Sequence, residues 1–250
     1  RELQGDSQVF TAEMVQKMKD GVDGWGNTNW YDKVYGTGTR THHNISATGG
    51  SDRVRFFASI GYLNEDGNID NYGYNRLNLR SNIDAKLTKS LTFTLGVSGR
   101  IEKRDSPRYS ANPDDWHNVP QQVIRALPYV PDTYEYEGKT YNVSTPTASS
   151  PVAPLASINE SGYSKSNYSY IQSNFSLKYD APWLKGLSFK FQGAYDLTYN
   201  FSKILSNPYE VMIMNLPTIE STSLTYYKGT DASGNSISLS ESASRGYTFT

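Results

Sequence analysis

Residues Asn75–Leu87 read NRLNLRSNIDAKL, and the two registers of this stretch differ completely in character. The odd positions are Leu77, Leu79, Ser81, Ile83, Ala85 and Leu87; the even ones are Arg76, Asn78, Arg80, Asn82, Asp84 and Lys86. Successive strand side chains point to opposite faces, so the stretch has one apolar and one wet face. Four others behave alike: Arg53–Leu63, Leu91–Ile101, Ser169–Asp180 and Leu187–Asn200. Together the five carry eleven charged residues, and every one falls in a polar register. The faces are not perfectly clean. Phe57, Leu63 and Tyr170 sit in polar registers, and Ser169 and Ser173 in apolar ones.

Two architectures produce such alternation. A soluble antiparallel sheet puts one face on a core and the other in water. A membrane barrel puts one face in lipid and the other in a watery lumen. Strand length favours the barrel, because soluble strands run to about five or six residues whereas a tilted membrane strand needs about 9–11. A lysine or arginine in the lipid register would cost roughly 2–4 kcal/mol near the bilayer centre, which confines basic residues to the lumen. The connections favour it too. They alternate short (49–52), medium (64–73), short (88–90), very long (102–165), short (181–186) and long (202–245), as in barrels with tight periplasmic turns and large outer loops. The fold class expected is all-β: an antiparallel transmembrane β-barrel segment with long extracellular loops, its strands near 41–48, 53–63, 74–87, 91–101, 168–180 and 187–201.

The 250 residues have a formal net charge of -1 and a mean hydropathy of -0.63. Near-neutral charge removes the electrostatic case for nucleic acid. Low hydropathy suits a barrel, since half of each strand faces water. Without cysteine there is neither a disulfide nor a thiolate metal site. The chain starts at Arg1 without an export signal and stops at Thr250 in what reads as another strand, so it is read as an internal piece of a longer protein. Five to seven strands fall short of the eight in the smallest bacterial barrels, and their unpaired edges would be untenable in lipid.

Residues 1–40 read as a loop with one short helix over Phe10–Lys19, capped by Thr11, stopped near Gly21 and carrying Met14, Val15 and Met18 on one side. Within the last long connection, Leu224–Lys228 and Ser236–Ser240 are expected to pair around 231–235.

Several strings are specific enough to carry a resemblance. NTNWYDKV (Asn27–Val34), HNIS (His43–Ser46), GGSDRVRFFASIGY (Gly49–Tyr62), YNRLNLR (Tyr74–Arg80) and PWLKGL (Pro182–Leu187) resemble the barrel of SusC/RagA-type TonB-linked outer-membrane transporters. The resemblance covers nearly the whole chain and is strongest over 27–101 and 166–201. It implies part of a barrel of the 22-strand class with an N-terminal plug inside it, in the outer membrane of a Gram-negative bacterium. It also implies a SusD-like surface lipoprotein as lid, oligosaccharides or peptides as cargo, and energy from TonB through a box near the N-terminus. Neither plug nor box is recognisable in this sequence.

Two groups of side chains are candidates for contact. Tyr109, Trp116, Tyr129, Tyr134, Tyr136 and Tyr141, in the very long connection, are placed to stack on sugar rings or meet the lid; alternatively they pack that loop on itself. Prolines 107, 113, 120, 128 and 131 fix φ and argue for an ordered loop. Arg53, Arg55, Arg76, Arg80 and Lys190 face the lumen, there to line the cargo path, bind the plug, or pair with carboxylates such as Asp84 and Asp196.

No metal site is expected: His42 and His43 point to opposite faces of a strand, and His117 stands apart. The loop 64–73 has oxygen donors but fails the EF-hand pattern. There is no Ser-His-Asp order, no paired carboxylates in a loop cleft and no phosphate-cradling glycine loop, so neither enzyme activity nor a cofactor is expected. The rival function from another class is a soluble β-rich glycan-binding module displaying tyrosines; an unrecognised hydrolase ranks last.

Overall fold

The computed structural model describes residues 10–108, 118–144, 152–207, 209–215, 225–228 and 246–249. Its main body is a seven-stranded sheet. The strands are β1 (Arg40–Gly50), β2 (Val54–Asp66), β3 (Gly73–Lys86), β4 (Leu91–Pro107), β7 (Gly162–Asp180), β8 (Ser188–Ser206) and β11 (Gly246–Phe249), neighbours in that order and antiparallel throughout. Each of the five alternating stretches lies in one of these strands apart from the end residues Arg53, Leu87 and Leu187, as their period of two requires. This is a length of antiparallel transmembrane β-barrel wall.

Register joins the apolar positions into continuous rows. Ile45, Ile60, Leu79, Gly99, Ile171 and Leu197 face one another in turn across six strands. Toward the short turns, Val54, Ala85, Phe93, Leu177 and Phe191 form a second row. Most of these side chains lie open, Ile45 71% exposed and Phe191 64%, while Ala85 and Phe93 are half-buried. Among the described residues no second layer covers them. From Leu91 to Ile101, ten steps between residues, rising about 3.3 Å each and tilted near 40°, span about 25 Å, the height of a barrel's apolar band.

The strands outrun the alternation. β4 continues from Ile101 to Pro107, β7 starts at Gly162 and β8 runs to Ser206, with ladder pairing unbroken. Glu102, Lys103, Arg104 and Asp105 are charged in both registers. Above the apolar band both faces are wet, so hydrogen bonding persists where side-chain contrast has ended.

The connections at the long-loop end fold into a cap. It contains α1 (Ala12–Asp20), α2 (Trp30–Val34), α3 (Val119–Arg125) and α4 (Pro154–Asn159). It also contains a four-stranded sheet of β5 (Thr133–Tyr136), β6 (Lys139–Ser144), β9 (Val211–Asn215) and β10 (Thr225–Lys228), in the order β10-β9-β6-β5. The β6–β9 pairing is parallel, so two segments remote in sequence are zipped side by side. β10 pairs with β9, and its expected partner Ser236–Ser240 lies outside the described residues.

Residues 10–40 carry α1, as expected, and also α2. Thr11 accepts from the Met14 amide, and Gly21 closes α1 in the left-handed conformation at φ 64°. Met14 and Met18, one turn apart, meet the cap core, whereas Val15 turns to solvent. The amide of Gly26 donates to the Tyr129 carbonyl at 2.8 Å, the Thr28 hydroxyl to that of Val130 at 2.8 Å and the Trp30 indole to that of Leu127 at 2.9 Å. These bonds bind the chain start to the long loop.

The two faces predict opposite outcomes for one charge. In the full-length protein, Val97→Arg, in the apolar register, is expected to lower stability by roughly 2–4 kcal/mol. Ser98→Arg, one residue on and facing inward, is expected to stay within about 0.5 kcal/mol. Urea unfolding from lipid vesicles reads both, and equal losses would contradict the assignment of faces.

Candidate lumen face and loop cap

Within the alternating stretches the polar register carries the charges. Ser46, Ser59, Arg80, Ser98, Gln172 and Asp196 make one row, and Leu63, Arg76, Glu102 and Tyr168 another nearer the cap. Arg55, Arg76, Arg80 and Lys190 all lie in this register. Arg53 instead lies in the turn before β2, its amide donating to the Ser51 hydroxyl at 3.3 Å.

The expected pairing with Asp84 and Asp196 does not form. Asp84 takes a hydrogen bond from the Thr94 hydroxyl at 2.8 Å, and Asp196 one from the Gln172 amide at 3.5 Å. Arg55 is Asp84's register partner, yet no ion pair joins them. Asp84 is instead engaged by Thr94 on the strand at its other side. Among the described residues Arg53, Arg55, Arg76, Arg80 and Lys190 have no carboxylate within ion-pair distance.

An additional cluster lies where the sequence suggests loop. Glu102, its side chain 8% exposed, is held by Arg100 at 3.0 Å and Arg104 at 3.2 Å. The Arg100 guanidinium lies 5.9 Å from the Tyr168 ring and 6.0 Å from that of Tyr170; Arg104 lies 5.4 Å from Tyr74. Arg76, in register with Glu102, has its Nε buried without a hydrogen-bond partner. The signal was present as Arg100-Ile-Glu-Lys-Arg104, three alternate charged positions. The apolar register ends at Ile101, which hides its continuation as strand.

The loop aromatics have separate fates. Tyr109 and Trp116 lie outside the described residues. Tyr129 packs against Phe10 and Trp25, with ring centroids 5.9 and 6.2 Å away, and burial pushes its phenol up from the ordinary value. Tyr134 packs on the same core. Tyr141 is 6% exposed beside Val143, Met212 and Met214, so its ring is core material rather than a contact surface. Tyr136, 41% exposed, is the open one among the described four.

A buried polar knot fixes the cap. The Gln122 amide donates to the Ser157 hydroxyl at 2.8 Å, while its Oε1 accepts from the Ala153 amide at 3.2 Å and from that same hydroxyl at 3.1 Å. The Tyr209 hydroxyl reaches Ser157 at 3.1 Å. The Ser157 hydroxyl thereby ties α4 to α3 and to the segment before β9.

No family model matches the chain. Over 100 residues it is 30% identical to TonB-dependent receptor P3 of Formosa agariphila, covering 40% of this chain and 10% of that protein. It is 31% identical over 65 residues to TonB-dependent receptor P26 of the same bacterium, covering 26% and 7%. Its fold is similar to a chain of the RagAB peptide importer in the closed-closed state, with TM-score 0.55 and 21% identity over 76% of this chain and 22% of that one. Against the open-open state the TM-score is 0.56, at 18% identity over 81% and 24%. The chain therefore spans a tenth or less of these receptors and under a quarter of the structural neighbours. Its likeness to TonB-dependent receptors is partial in sequence, and the shared fold is barrel wall.

Burial separates the tyrosines experimentally. Tyr141→Ala is expected to cost the cap about 3 kcal/mol by leaving a cavity, and Tyr136→Ala less than about 0.5 kcal/mol. Limited proteolysis of the full-length protein, followed at the long-loop end, distinguishes the two.

Proposed function

We propose that this chain forms wall and outer loops of a SusC/RagA-type TonB-dependent transporter that imports oligosaccharides or peptides across a Gram-negative outer membrane. The observation that carries the reading is the bare apolar band, about 25 Å tall, with tight turns at one end and a folded cap at the other. Hydrocarbon is the solvent such a face needs, and the open edges of the sheet require further strands there. A soluble glycan-binding module would have to leave the same face in water.

In this reading the cap stands outside the cell and meets a SusD-like lipoprotein. The exposed Tyr136 is its contact residue among the described aromatics, with Tyr109 and Trp116 as further candidates. Arg55, Arg76, Arg80 and Lys190 line the cargo path. TonB engages a part of the protein N-terminal to this chain. Support for import comes from the partial likeness to TonB-dependent receptors and the fold shared with a peptide importer. Transport needs no catalytic group, and we assign none.

Deleting the gene for the full-length protein is expected to abolish growth on one class of oligosaccharide or peptide as sole carbon source. Complementation restores it when the lid lipoprotein is present. Unchanged uptake of every glycan and peptide tested, or recovery of the protein with the soluble fraction, would overturn the reading.

A further inference from the structure

The inward face holds more cations than its carboxylates neutralise, and part of that imbalance lies near the cap. Arg100 and Arg104 share the single carboxylate of Glu102, and both guanidiniums remain substantially exposed. Arg76 stands beside Glu102 in register with its Nε buried and unpartnered, and Arg80 has no ion pair among the described residues. Each extra positive charge here is close to another, a repulsive arrangement that an arriving anion would relieve. Tyr74, Tyr168 and Tyr170 lie near the Arg100 and Arg104 guanidiniums, 5.4 to 6.0 Å from ring centre to cation. A guanidinium presents paired donors that match the two oxygens of a carboxylate.

We propose that Arg76, Arg100 and Arg104 form a carboxylate-binding site on the inner wall, selecting anionic over neutral cargo. This rests on the importer reading and narrows it to cargo bearing carboxylates. The same chemistry is offered by a uronic-acid oligosaccharide and by an acidic peptide, so both sources are tested. Glu102 sets the strength of the site: it aligns two arginines and cancels one of their charges.

The full-length protein, purified in detergent, is titrated calorimetrically with four probes. They are tetragalacturonate and its neutral counterpart galactotetraose, and a glutamate-rich pentapeptide and its glutamine counterpart. The expected result is about tenfold tighter binding of the acidic member of at least one pair, a ratio in keeping with charge-assisted hydrogen bonds. The pair showing it identifies the source. The preference is expected to weaken at high salt.

R76Q/R100Q/R104Q/E102Q neutralises the cluster without stranding a buried carboxylate, and should bring the ratio near one. E102Q alone should raise it. Heat-modifiable gel migration confirms a folded barrel for each variant. Equal binding of acidic and neutral probes, no binding of any probe, or a preference that survives the quadruple variant would overturn the proposal. Equal weakening of both members of a pair would do so as well, since the arginines would then hold the protein's own interior. Uptake by cells is measured separately. Acid preference lost in the quadruple variant, with no uptake of any probe, upholds the site and removes the importer reading.

Discussion

A backbone amide in hydrocarbon has no water to turn to, so each strand of the wall must find its partners on neighbouring strands. That constraint holds the seven strands in one uninterrupted antiparallel ladder order, and the period of two then sorts every side chain into one of two solvents. A one-residue slip would carry Arg80 and Asp84 into the lipid register and Leu79 and Ile83 into the lumen. The cost of a buried charge therefore specifies register across the sheet more strongly than any local turn.

Beyond the apolar band the same chain solves a different problem. Water is available on both faces, so the ladder can end, and the segments beyond it must bury apolar groups to stay ordered. The cap does this with Trp25, Trp30, Val130, Val143, Met212 and Met214, drawn from three separated stretches. Gln122 supplies the polar complement, satisfying its buried amide through Ser157 and the Ala153 backbone. The result is a structured surface at the long-loop end of the wall.

Charge on the inner wall follows from geometry more than from composition. The chain is nearly neutral, yet Asp84 is taken by Thr94 and Asp196 by Gln172, while Glu102 is shared by two arginines. Carboxylates and cations of similar number need not neutralise one another when strand register sets their neighbours. An excess of cations on a concave wall would focus field into the passage it lines.

Alternation alone determined the wall: the strands, their two faces and their short turns were legible because a single physical contrast, lipid against water, is written into every second residue. Thr11 and Gly21 likewise disclosed α1, since capping is a local matter. The ends of β4, β7 and β8 were not legible, because Glu102–Asp105 shows no contrast between faces once both are solvated. Nor was the cap. The parallel pairing of β6 with β9 and the burial of Tyr141 depend on contacts between segments about seventy residues apart, and no local pattern encodes which distant partner a side chain will meet. Tertiary structure decided which tyrosine stays open, which arginines go unpaired, and that a strand Arg-x-Glu-x-Arg run assembles beside three aromatic rings.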